Sequence, residues 1–207
     1  MDSISYRLAI ALPVIFLSMA IHELMHAWAS DRLGDDTARL QGRISLNPIK
    51  HIDPFLTLAM PLLLILSGSP IIFGAAKPVQ VNFARLRHGE YGGAVVGMIG
   101  PLTNLLLAIL AAATLHLIPS PNNLVADILV MAVAVNVGFF VFNSIPWPPL
   151  DGSRLLYAFA PERLQKIMES IESQGMTGLI IFIFLFYSFG GGVSNIIEKI
   201  TNSLLFF

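Results

Sequence analysis

Cysteine is absent from this 207-residue chain, and charge is scarce: Lys, Arg, Asp and Glu together make up 12% of it. The first absence excludes disulfide staples and thiolate metal sites. The second is about half the charged fraction of an ordinary soluble domain. With 55% apolar residues, the composition describes a polytopic membrane protein. Twelve basic residues against thirteen acidic ones leave a net charge of −1, which gives no basis for binding nucleic acid or an acidic partner. Internal repeats, low-complexity tracts and an appended soluble module are also missing. The chain is therefore expected to form one intramembrane domain over 1–207, with a core at about 6–157 and a C-terminal helix and tail at about 174–207.

What the chain does have is long apolar runs, and the first of them is unusual. Residues 8–28 are long enough to cross a bilayer and carry no charge apart from His22, Glu23 and His26. The region before the run has only Arg7, offset by Asp2, and the run continues past the small residues Ser18-Met19-Ala20. It is expected to remain as a helix rather than be removed as a signal peptide. An ionisable residue at such depth costs several kcal/mol and usually marks function. On a helix, His22 and His26 share a face, so both imidazoles can bind one metal ion. Glu23 then stands as general base toward an activated water, the mechanics of a zinc metalloprotease. The alternative is a pair of histidines hydrogen-bonded to neighbours inside a helix bundle.

Four further segments are apolar enough to enter a bilayer: 55–73, 91–118, 124–145 and 176–189. The segment 55–73 is interrupted by Pro61 and by Ser67-Gly68-Ser69-Pro70, which is turn punctuation. Basic residues bear on its course. Arg32, Arg39, Arg43 and Lys50 precede it, Lys77, Arg85 and Arg87 follow it, and Arg154, Arg163 and Lys166 come after Pro148. The link 119–123 has none. If 55–73 crossed the membrane, two basic loops would fall on opposite sides, against the positive-inside tendency. A re-entrant hairpin is therefore expected. From Gly191 onward, Val193, Ile196, Ile197, Ile200, Leu204 and Leu205 recur at helical spacing, with Glu198, Lys199 and Asn202 between them. This predicts an amphipathic helix in the interface.

A catalytic zinc usually takes three protein ligands. Without cysteine, the third is sought among His51, His88, His116 and the carboxylates. His88 lies in a basic stretch and His116 at the outer end of its segment, while Glu90 and Asp127 flank segments and Glu162, Glu169 and Glu172 read as a solvated surface. Asp151 stands apart. It follows Pro146-Trp147-Pro148-Pro149-Leu150, where three prolines stop a helix, and precedes Gly152, which permits a close approach. With 55–73 re-entrant, His22, His26 and Asp151 meet at similar depth. The alternative is an Asp capping a helix that begins near Ser153.

Three stretches together resemble the site-2 protease family of intramembrane zinc metalloproteases, in a minimal bacterial form without PDZ or CBS domains. They are His22-Glu23-Leu24-Met25-His26, Gly100-Pro101-Leu102-Thr103-Asn104, and Asn143-Ser144-Ile145-Pro146-Trp147-Pro148-Pro149-Leu150-Asp151-Gly152. The last follows the family pattern N-x-x-P-x-P-x-L-D-G throughout. Gly42-Arg43-Ile44-Ser45-Leu46-Asn47-Pro48 resembles the small bacterial members, and the similarity spans most of 8–157. The resemblance implies one zinc ion on His22, His26 and Asp151, with Glu23 activating water. It implies a catalytic core of three helices. It places Asn104 and Asn143 toward the active site, where amides could hold substrate backbone or a developing oxyanion; for Asn104 an interhelical hydrogen bond is the competing role. His51 with Asp53 recurs in the small form, backing the site or anchoring a loop.

The expected protein is thus an all-α, multi-pass helical bundle of the cell membrane with small β elements on the cytoplasmic side. Its activity would be hydrolysis of peptide bonds in or near the membrane segments of other proteins, with the bilayer as its setting and the oligomeric state left open. Water would enter past 42–54 and 146–152. A short strand is expected near Val79–Val81, where an extended substrate could add a strand. Two rivals remain: a metalloprotease with glutamate as third ligand, and a membrane scaffold or metal-handling protein that keeps the motif without catalysis. The presence of Glu23 argues against the second, because binding zinc needs the histidines and not the base.

Overall fold

A computed structural model describes residues 4–54, 59, 77–175, 178 and 191–206. Its main elements are α1 (Ile4–Arg32), a one-turn α2 (Thr37–Leu40), α3 (Gly89–Leu117), α4 (Asn123–Asn143), α5 (Gly152–Phe159), α6 (Glu162–Ser173) and α7 (Gly191–Leu205). Single 3-10 turns lie at Pro48–His51 and Phe83–Arg85. Among the described residues three helices are long and apolar enough to cross a membrane: Ser5–Arg32, Gly89–Leu117 and Asn123–Asn143. They match the apolar runs 8–28, 91–118 and 124–145 to within a few residues. α1 runs past its apolar stretch to Arg32, whose guanidinium lies over the Trp28 ring at 5.4 Å.

α3 is the hub, packing against α1, α4 and α5. The Arg87 N–H donates to the Leu33 carbonyl at 2.7 Å, joining the end of α1 to the start of α3, so these helices run antiparallel. The short link 118–122 returns the chain as α4, whose start meets that of α1 through Tyr6 Oη donating to Asp127 at 2.8 Å. One end of the bundle therefore gathers the end of α1, the start of α3 and the end of α4.

The interior is small and polar, and the outside is large and apolar. Ala20, Ala27, Ala94, Ala108 and Ala112 are buried with Ser18, Asn104 and Asn136, whereas Leu102, Leu106 and Leu110 on α3 are about half exposed. That inversion of a soluble protein's pattern suits helices that approach closely through small residues while lipid covers the rest. The protein is a multi-pass membrane bundle.

Polar side chains lock the corner between α1 and α3. Asp35 is fully enclosed; one carboxylate oxygen accepts from the Thr37 N–H at 3.1 Å and the other from the Asn82 N–H at 2.7 Å. The Arg43 guanidinium donates to the carbonyls of Lys50, Lys77 and Pro78. These contacts correct one expectation. Residues 77–82 form no strand, and no β element occurs among the described residues. The Val79 and Asn82 N–H groups go to Glu23 and Asp35, and the Lys77 and Pro78 carbonyls go to Arg43. Side chains thus take the backbone groups a ladder would need.

The proposed hairpin at 55–73 lies outside the described residues apart from residue 59, as does 176–189 apart from residue 178. Just before and after the former, the Lys77 N–H donates to the His51 carbonyl at 2.9 Å. A helix is present from Gly191 as α7, but the apolar side expected to lie in the interface packs on the bundle. Its Ile197, Ile200, Leu204 and Leu205 rest on the cluster of Ala108, Ala112, Val133 and Val137 between α3 and α4.

Candidate metal centre

His22 and His26 lie ten and six residues before Arg32, about 15 and 9 Å along the axis from the end of α1. Both are buried, at 6% and 7% exposure. Asp151 reaches them from the turn between α4 and α5. It occupies the residue before α5 yet makes no side-chain cap to that helix. Its Oδ2 lies instead 3.1 Å from His22 Nε2 and 3.4 Å from His26 Nε2, and the two Nε2 atoms are 3.0 Å apart.

The far side of each ring decides what the near side offers. His26 Nδ1 sits 2.7 Å from the Val96 carbonyl, which can only accept, so that nitrogen carries the proton and Nε2 keeps its lone pair. His22 Nδ1 is backed at 2.6 Å by Asn104 Oδ1, with the same consequence. Two lone pairs and a carboxylate oxygen then converge with no donor among them. Such a set is stable only around a cation, either a proton held by one ring or a metal ion.

The spacing also suits a metal. A tetrahedral zinc with bonds of about 2.0–2.1 Å sets its ligand atoms about 3.3 Å apart, and the three edges here are 3.0, 3.1 and 3.4 Å. Among the described residues, His22, His26 and Asp151 form a group of three side chains able to hold one ion.

Glycines allow the parts to come this close. A Cβ at Gly97 would meet the Asp151 carbonyl at 2.8 Å, and one at Gly152 would meet the Ser144 carbonyl at 2.3 Å. α3 can therefore press against the turn that carries Asp151, and the turn can fold back on the end of α4.

The other predicted residues fall as follows. Glu23 is nearly buried on α1, and one of its carboxylate oxygens accepts from the Val79 N–H at 3.1 Å. Asn104 is fully enclosed, its Oδ1 2.6 Å from His22 Nδ1 and its amide nitrogen 2.8 Å from Asn136 Oδ1. Asn143 ends α4 and turns its amide nitrogen to the Phe139 carbonyl at 3.1 Å. His51 is an enclosed loop anchor, its ring donating to the Ser45 carbonyl at 2.8 Å. His88 precedes α3 in a left-handed conformation with φ 67°, and His116 donates to the Leu204 carbonyl at 3.1 Å. Sequence reasoning passed over Asn136 and Val96, and took Val79 only as part of a short strand. A buried Asn inside an apolar run was the one legible signal, since polar groups there need a reason; the two backbone contacts leave no trace in residue type.

Relatives point the same way. YwhC of Bacillus subtilis (strain 168), named as a proposed zinc metalloprotease, is 34% identical over 180 residues, which cover 83% of this chain and 77% of that protein. Two proteins named Rip2, likewise as proposed zinc metalloproteases, are also similar. The one from Mycolicibacterium smegmatis is 29% identical over 171 residues, 82% of this chain and 63% of its own length. The one from Mycobacterium tuberculosis (strain Erdman) is 32% identical over 170 residues, 81% of this chain and 64% of its own. The chain thus spans a little under two thirds of the Rip2 proteins. No family model matches the chain. No solved structure matches it. With more than four fifths of its length aligned to such relatives, the chain belongs to the site-2 protease family.

Proposed function

We propose that this protein is a zinc-dependent endopeptidase that hydrolyses a peptide bond in or near the membrane segment of another membrane protein. One observation carries the reading: three buried or half-buried acceptor atoms on His22, His26 and Asp151, each within 3.4 Å of the others and with no donor of their own. These residues hold one zinc ion. Zinc, when bound, acts as a Lewis acid that makes water a nucleophile near neutral pH and polarises a carbonyl.

The chain's own residues supply the rest. Glu23, beside His22 on α1 and steadied by the Val79 N–H, takes the proton from the attacking water and passes it to the departing amine. Asn143, at the mouth of the turn that leads to Asp151, offers its amide to the substrate backbone or to the developing oxyanion. Asn104 holds His22. The irregular stretches 42–54 and 146–152 lie at the end of the bundle nearest the triad and give water its route.

The test is zinc content in the detergent-purified full chain, with two variants prepared in parallel. Wild type should carry about one zinc per chain, and Asp151→Ala should lose it or bind it far more weakly. Glu23→Gln should keep zinc and lose cleavage. Zinc retained in Asp151→Ala would point to a glutamate as third ligand. Unchanged biological activity in Glu23→Gln would make the protein a scaffold rather than an enzyme.

A further inference from the structure

We infer that Asn136, a residue of α4 outside all three motifs, is a positioning residue that dictates which nitrogen of His22 carries the proton. The inference deepens the metal-site reading and rests on it for its functional meaning. Its structural basis is a chain of buried hydrogen bonds running from α4 through α3 to α1.

The Asn136 amide nitrogen lies 2.9 Å from the Ala132 carbonyl and 2.9 Å from Ser18 Oγ. A backbone carbonyl can only accept, so the NH₂ end of Asn136 must face it and the oxygen end must point the other way. That oxygen, an obligate acceptor, meets Asn104 at 2.8 Å, so Asn104 must present its own NH₂ there. Asn104 Oδ1 is thereby turned to His22 Nδ1 at 2.6 Å, and His22 must donate. Its Nε2 keeps the lone pair that faces His26 and Asp151. Polarity fixed at one backbone carbonyl of α4 is thus handed through two amides to a metal-ligating ring on α1.

Asn104 alone cannot do this. A carboxamide rotated by half a turn has nearly the same shape but offers NH₂ to His22, and that would favour the opposite tautomer, with Nε2–H aimed into the ligand cluster. Asn136 removes this choice. The chain is sealed from water, with Asn104 at 0%, Asn136 at 2% and Ser18 at 5% exposure, so no solvent molecule can replace a missing partner cheaply. Ser18 is a second acceptor beside the Ala132 carbonyl and does not set the direction.

The experiment is nitrogen-15 NMR of the histidine rings in the metal-free full chain in detergent, followed by zinc affinity from chelator competition. In wild type, His22 Nδ1 carries a proton in the neutral ring. Ser18→Ala gives the same tautomer and a zinc affinity within about twofold. Asn136→Leu, which removes both amide ends, populates the Nε2–H form and weakens zinc by about tenfold or more. Asn136→Asp, enclosed and therefore a neutral acid whose O–H donates to Ala132, restores the wild-type tautomer. A bare His22 Nδ1 in wild type overturns the inference, as does a folded Asn136→Leu with unchanged tautomer and affinity. Should Asn136→Leu not fold, the wild-type tautomer and Asn136→Asp decide. A wild type that keeps Nδ1–H but binds no zinc sinks the protease reading and leaves the relay standing.

Discussion

A methyl group at position 100 would lie 2.4 Å from His26 Nε2 and 2.7 Å from His22 Cε1. Neither neighbour yields without giving up the partner that holds it from behind, the Val96 carbonyl for His26 and Asn104 for His22. Gly100→Ala should therefore displace the histidines while leaving the helix intact, since alanine favours a helix over glycine by up to about 1 kcal/mol. The expected signature is a zinc affinity at least about tenfold weaker with little change in the thermal stability of the metal-free chain. Gly138→Ala on α4, whose added Cβ meets nothing within 4 Å, is the matched control and should retain zinc. Equal zinc affinity in the two variants would show that α3 does not crowd the site. At this scale the sequence displayed the chemistry better than its geometry. His22, Glu23, His26 and Asp151 announced themselves as ionisable groups in or beside apolar runs, where chance rarely leaves them. The orientation of Asn104 was not legible, because spacing places an amide on a face but does not say which end of it points where.

Among the elements, the three long helices were legible and the corner between them was not, for one physical reason. Spanning helices are written in long apolar runs that any window detects, whereas the corner is written in single contacts from side chain to backbone. Alternating Val79 and Val81 resemble a strand, but Glu23, Asp35 and Arg43 take the backbone groups that a strand would offer. Asp35 is the clearest test. Burial raises its pKa, but the Thr37 hydrogen bonds, the Asn82 N–H and the charge of Arg85 outweigh it, so the carboxyl titrates lower folded than unfolded. A group lowered in this way stabilises the fold above its unfolded pKa of about 3.9 and loses that contribution as pH falls through the folded value. Asp35→Asn should cost about 1–3 kcal/mol at pH 7, because an amide cannot accept at both ends. Thermal unfolding of the two chains in detergent at pH 7 and pH 3 checks this. The gap should narrow at the lower pH; a gap of constant size would mean that shape rather than charge matters at this position.

For the molecule as a whole, the arrangement of helices fixes which charges share a face. The end of α1, the start of α3 and the end of α4 lie together, so Arg32, Arg85, Arg87 and Arg154 belong to one end of the bundle, and the uncharged link 118–122 belongs to the other. Lys50 and Lys77 join the basic end. Arg43 clasps the carbonyls of Lys50 and Lys77, and Lys77 is bonded to His51. If the basic end faces the cytoplasm, as the positive-inside tendency predicts, His22 and His26, about 15 and 9 Å in from the end of α1, are expected nearer the cytoplasmic surface than the opposite one. The absence of native cysteine makes the prediction direct. Single cysteines at Lys50, Lys77 and Lys166, all exposed, should react with a membrane-impermeant maleimide only when the cytoplasmic face is opened, and one at Ser120 should react from outside intact cells. Labelling of Lys50→Cys and Lys77→Cys from opposite faces would break the shared end of the bundle. It would also separate the Glu23-bound segment 77–82 from the loop that clasps it, a separation that the hydrogen bonds from Arg43 to both sides do not allow.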